Sequence, residues 1–91
     1  MDEIQNLVIK GTYKTPQIDF NQQNGELVLT GRSIPENATQ IYQPLLSWIT
    51  KYIKSPNQTT NFHLKLKYYN SASTFWLIKI IKELTRITQK D

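Results

Sequence analysis

The chain contains no cysteine, which excludes disulfides and thiolate metal centres. It has one histidine, His63, and a lone histidine cannot build a zinc site without several carboxylates. The three glycines are dispersed, so no phosphate-cradling loop is present. The seven carboxylates form no close pair beyond Asp2-Glu3 at the N-terminus. No Ser-His-Asp grouping stands out. An enzyme constellation is therefore absent, and neither a cofactor nor a metal is called for. Long apolar runs are missing too. Nothing approaches the roughly 20 residues of a membrane span, and the acidic start, "MDEIQNLVIK", is not a signal peptide. These absences place the chain in the cytoplasm. The triplets "NAT" and "NQT" are then coincidences rather than glycosylation sites.

What is present fits one small globular domain over residues 1–91. The apolar fraction is 38% and the charged fraction 20%, which is not the composition of a disordered chain. The net charge is +4, but the basic residues are scattered. Only Lys65 and Lys67 clearly share a strand face, whereas a nucleic-acid reader should show a dense stripe.

Hydrophobic periodicity predicts the order β-β-β-α-β-α, an α/β (α+β) arrangement with a mixed sheet and helices mainly on one face. A first strand is expected over residues 4–11. Ile18 and Phe20 alternate before a turn, Leu27 and Leu29 after it, and Asn24-Gly25 between them suits a tight hairpin. Ile41, Leu45, Trp48, Ile49, Tyr52 and Ile53 recur at helical spacing. That helix is expected to start near Glu36 or Asn37, and Pro44 to kink it or divide off its first turn. "TNFHLKLKYY" alternates as a strand, with Phe62, Leu64, Leu66 and Tyr68 facing one way and His63, Lys65, Lys67 and Tyr69 the other. His63 thus reads as a histidine on a wet face. A second helix is expected over residues 71–88, with a core stripe of Leu77, Ile80, Ile81, Leu84 and Ile87. The strand-helix-strand segment from Glu26 to Tyr69 would end both strands at one sheet edge. "GRSIPEN" and "YYNSAST" meet there, at the edge where open α/β sheets bind ligands and partners.

The second stretch concentrates small polar side chains at a helix start. Asn70 suits a cap. At 100° per residue Ser73 and Thr74 fall on or beside the apolar stripe, while Ser71 falls on the outer flank. Phe75 and Ile78 follow Ser71 at i+4 and i+7, outside the stripe. Two large apolar residues on that flank form a candidate contact surface, for a partner or for a second copy in a homodimer. In the loop, Arg32 is a candidate partner for a phosphate and Glu36 for a partner's basic group, whereas Ser33 and Asn37 are candidate caps of the first helix.

Thr15-Pro16, Gly25, "GRSIPEN", Ile41-Tyr42, Pro44-Leu45, Trp48 and "YYNSAS" together resemble the pattern of the SiaC family of bacterial regulatory phosphoproteins, over roughly residues 10–85. The resemblance implies a STAS-like fold of the anti-sigma-factor-antagonist type and a switch without catalysis of its own. It implies phosphorylation by a serine/threonine kinase of the anti-sigma type and dephosphorylation by a PP2C-type phosphatase. It further implies that the unphosphorylated form regulates a diguanylate cyclase, and so cyclic-di-GMP and biofilm growth. The phosphoacceptor position, directly after the asparagine, is Ser71 here, flanked by Asn70, Ala72 and Ser73. Three departures stand out. Serine replaces threonine at 71, Ala72 replaces a serine, and Phe75 replaces a lysine. The family also continues with a strand and a helix past the position of Asp91.

Overall fold

The computed structural model describes residues 5–87. Its elements are β1 (Leu7–Ile9), β2 (Gln17–Phe20), β3 (Glu26–Ser33), α1 (Ala38–Tyr52), β4 (Asn61–Tyr69) and α2 (Ser71–Thr85). The four strands form one sheet in the order β1-β2-β3-β4. The first two pairings are antiparallel and β3–β4 is parallel. A parallel pair needs a long crossover, and α1 supplies it.

Alternation sorts the sheet faces. Ile18, Phe20, Leu27 and Leu29 are buried and join Tyr42, Leu45, Trp48 and Ile49 of α1 and Trp76, Leu77 and Ile80 of α2 in one core cluster. Aromatic rings anchor α1 to the sheet. Trp48 stacks on Tyr52 at 5.1 Å and packs on Phe20 at 5.3 Å. Its indole N–H donates to the Gln5 carbonyl at 2.7 Å, the kind of partner a buried indole requires.

Several sequence expectations need correction. β1 is three residues long, and the expected position 4 lies outside the described residues. The β2–β3 connection is a five-residue loop, Asn21 to Gly25, rather than a two-residue Asn-Gly turn. The Asn21 side chain accepts from the Gln23 and Asn24 amides at 2.9 and 3.1 Å, and Asn24 accepts from Glu26 at 2.9 Å. Asparagine side chains thereby build the turn. Within this loop only Gly25 has a positive φ, +74°, and a Cβ there would run into the Thr59 carbonyl. α1 passes unbroken through Pro44; its packed face holds the helix together despite the missing donor at that residue. α2 ends at Thr85, with Arg86 as its C-cap, and position 88 lies outside the described residues. Trp76, absent from the expected stripe, is buried, while Ile81 is 42% exposed.

The alternation of β4 breaks near its end. Gly31 pairs with Leu66, but Arg32 pairs with Tyr68 and Ser33 with Tyr69. One extra residue on β4, Lys67, is absorbed as a bulge. A single-residue slip moves side chains to the other face, so Tyr68 joins Arg32 on the outer face and does not follow Leu66.

His63 also lies on that outer face, half-buried, with its Nε2 2.6 Å from Glu26 Oε1. Asn61 donates to the other oxygen of Glu26 at 2.8 Å. The hydrogen bond from Asn61, then that from His63, holds the Glu26 carboxyl below its ordinary value of 4.5. A depressed carboxyl contributes stability above its unfolded-state pKa and loses it as pH falls through the folded-state value. Melting temperature is therefore expected to drop as pH is lowered below about 4.5, and Glu26→Gln to flatten that part of the profile. An unchanged acid slope in the variant would count against this pair.

Candidate functional site

The parallel register puts the end of β3 beside the end of β4, so Ser33, the 34–37 loop and the start of α2 are in contact. Asn70 is the joint. Its amide donates to the Ser33 carbonyl at 3.0 Å, and its Nδ2 to the Pro35 carbonyl at 3.3 Å. Its Oδ1 accepts from the Ser73 amide at 2.9 Å, which caps α2.

A buried chain of hydroxyls reinforces that joint. Ser33 Oγ lies 2.5 Å from Tyr42 Oη and 2.7 Å from Ser73 Oγ. Ser73 Oγ also lies 2.8 Å from both the Ser33 carbonyl and Asn70 Oδ1. Each hydroxyl has one proton, and a single ordering uses all three. Tyr42 donates to Ser33, Ser33 donates to Ser73, and Ser73 donates to the two carbonyl-type acceptors. Burial pushes the Tyr42 phenol above 10.0, against the opposing pull of its serine partners, so it remains a donor. Among the described residues no buried side-chain polar atom lacks a partner.

Ser33 and Ser73 are both 0% exposed. Their hydroxyls therefore face the interior and are not part of a contact surface. Asn37, by contrast, does cap α1, accepting from the Gln40 amide at 3.3 Å. Ser71 is the first residue of α2 and is exposed. Its hydroxyl has no partner among the described residues. Ala72 is exposed beside it, and Thr74 is half-buried, bonded to the Asn70 carbonyl at 3.3 Å.

Phe75 is 58% exposed and Ile78 49% exposed. With Ser71 they form one outward flank of α2. Lys79 Nζ lies 5.0 Å from the Phe75 ring centroid. A cation is thus retained on this flank, one turn beyond the position where the family pattern places its lysine. Glu36 is exposed and paired with Lys14 at 3.3 Å. Arg32 lies on the opposite face of the sheet from the helices and is not brought to Ser71. Tyr42 and Trp76, whose rings stack at 6.4 Å behind the loop, support the site, and helical spacing carries a signal for both, since Tyr42 precedes Leu45 by three residues and Ile49 by seven, and Trp76 precedes Ile80 by four.

Comparison with known proteins gives a consistent picture. The family model described as SiaC family regulatory phosphoprotein matches residues 9–91. A curated, uncharacterized protein of Pseudomonas aeruginosa (strain UCBPP-PA14) is 29% identical over 83 residues, covering 91% of this chain. The chain spans 66% of the length of that relative. The crystal structure of apo-SiaC from Pseudomonas aeruginosa superposes with a TM-score of 0.89 at 28% identity, covering 96% of this chain and 72% of that one. SiaC in complex with the diguanylate cyclase SiaD, of which it is the activator, superposes with a TM-score of 0.86, covering 92% of this chain and 69% of that one.

Proposed function

Because the chain belongs to the SiaC family of regulatory phosphoproteins, we propose that it is a cytoplasmic, non-catalytic switch whose state is set by phosphorylation of Ser71. The observation that carries this reading is the contrast between neighbouring hydroxyls. Ser73 is sealed inside the polar chain, whereas Ser71 is exposed at the start of α2 and, among the described residues, unbonded. A kinase can reach one and not the other.

The geometry suits a phosphate at Ser71. A phosphate adds about −1.5 to −2 charge. At a helix N-terminus that charge is favoured by about 0.3 to 1 kcal/mol. The modification therefore leaves α2 intact and acts on the flank of Ser71, Phe75 and Ile78. The unphosphorylated flank binds a diguanylate cyclase of the kind SiaC activates in the solved complex, and phosphate on it blocks that contact. A serine/threonine kinase of the anti-sigma type adds the group and a PP2C-type phosphatase removes it, which links the chain to cyclic-di-GMP and biofilm control.

Incubation with the cognate kinase and ATP, followed by mass-spectrometric mapping, is expected to find phosphate on Ser71 and none on Ser71→Ala. Modification of Ser73, or of nothing, would sink the assignment. The exposure of Phe75 and Ile78 supports one other reading, a homodimer formed through this flank without phosphorylation. Sedimentation of the unmodified chain separates the two, since a tight dimer protecting Phe75 favours the second.

A further inference from the structure

The outer face of the sheet, turned away from both helices, carries an arrangement that the Ser71 switch does not use. The Arg32 guanidinium lies 4.2 Å from the centroid of the Tyr13 ring and 5.0 Å from that of Tyr68. Both tyrosines are exposed, at 72% and 58%. The backbone departs from regularity at this point. Gly31 takes φ +98°, in open space, so its backbone conformation and not a lack of room calls for glycine. The register shift beside it turns Tyr68 toward Arg32. Bulges commonly re-aim a side chain in this way. Tyr13 is delivered by the loop before β2, which is tied to β3's extension by the Ile34 amide bonding to the Lys14 carbonyl at 2.8 Å.

Aromatic packing engages the flat sides of a guanidinium and leaves its N–H edge for a planar acceptor. Among the described residues that edge has no acceptor. No carboxylate pairs with Arg32 among the described residues, and Glu36, the acid of the neighbouring loop, is held by Lys14. We propose that Tyr13, Arg32 and Tyr68 form a docking point for a carboxylate-bearing segment of a partner protein.

Charge decides the class of partner. Lys65 and the bulged Lys67 are exposed on the neighbouring strand and add positive charge at this end. The other end of the same face carries Asp19, paired in register with Val28, and Glu26, already engaged by Asn61 and His63. A short acidic segment touches only the basic end. A nucleic-acid backbone running along the face would meet the two carboxylates and be repelled. Tyrosine and arginine are also the residues that most often dominate protein interfaces.

The test is a nuclear magnetic resonance titration of the full chain with three probes. They are a synthetic peptide rich in Glu and Asp, its Gln/Asn counterpart, and a short single-stranded oligonucleotide. The acidic peptide is expected to shift the Arg32 side-chain N–H and the ring signals of Tyr13 and Tyr68, and the neutral peptide to leave them unmoved. Arg32→Gln is expected to weaken binding about tenfold or more, the scale of an interface hot spot. Arg32→Lys should lose most of it as well, because an ammonium lacks the planar fork. Tyr68→Leu should weaken binding with an unchanged melting temperature. Ser71→Ala should bind as the parent does, which separates this surface from the switch. The proposal is overturned by absence of acidic-peptide binding, by equal shifts with the oligonucleotide, by full affinity in Arg32→Gln, or by shifts gathered on α2.

Discussion

Phosphate on Ser71 is expected to weaken cyclase binding strongly while leaving the protein slightly more heat-stable, two effects of opposite sign. A desolvated charge without a prepared partner costs about 2–5 kcal/mol at an interface. At 1.4 kcal/mol per decade, affinity should fall roughly 30-fold to several thousandfold. The same charge interacts favourably with the start of α2, by about 0.3 to 1 kcal/mol. At about 4–8 °C per kcal/mol for a domain of this size, that is a rise of roughly 1–8 °C. Calorimetric titration and thermal melting of the phosphorylated and unmodified chain read both quantities. The amides of Ser71 and Ala72 make this possible, since the Asn70 cap occupies the Ser73 amide and leaves those two outside the cap. A large drop in melting temperature alongside lost binding would show that phosphate disrupts the fold, and would replace the electrostatic account. Ser71→Ala should keep full affinity. Ser71→Asp should fall between, because it carries less charge than a phosphate.

Local chemistry carried much of this site in the sequence. Asn37 as a cap, the C-terminal end of β4 at Tyr69 and the inward turn of Ser73 all follow from spacing and from residues whose side chains bond their own backbone. The meeting of the two loops follows from parallel strand connectivity, which needs no side-chain detail. The features that spacing missed arise from tertiary structure. Alternation assigns Tyr68 to the face of Leu66, and only the register shift opposite Gly31 reverses it. Trp76, by contrast, is within reach of spacing, standing three residues after Ser73 and four before Ile80 on the buried side of α2, and its ring stacks on Tyr42. Ile81 belongs to the stripe by angle and is still 42% exposed, because angle fixes direction and not what lies opposite. The joining of Tyr42, Ser33 and Ser73 spans 9 and 40 positions, and no periodic pattern connects residues at such separations.

That hydroxyl chain yields the second large effect, and the sharpest contrast in the molecule. Ser73→Ala removes the acceptor of Ser33 and the proton given to Asn70 Oδ1 and the Ser33 carbonyl. However Ser33 and Tyr42 reorient, one buried donor is left without a partner. An unsatisfied buried donor costs about 1–3 kcal/mol, so the melting temperature should fall by roughly 4–24 °C. The triple variant Tyr42→Phe, Ser33→Ala, Ser73→Ala strands no hydroxyl. It should be less destabilised than the sum of its parts, since residues in one network are not additive. If the three single losses simply add, the hydroxyls are independent and the ordered chain is wrong. Ser71→Ala, two residues away, should change stability by less than about 0.5 kcal/mol, as exposed substitutions do. It should nevertheless abolish phosphorylation, whereas Ser73→Ala keeps the acceptor. On the proposed function, one turn of α2 would hold both the joint between loop and helix and, two residues away, the site of the signal. Thermal melts and phosphate incorporation, measured on the same two variants, show whether these roles divide between Ser73 and Ser71.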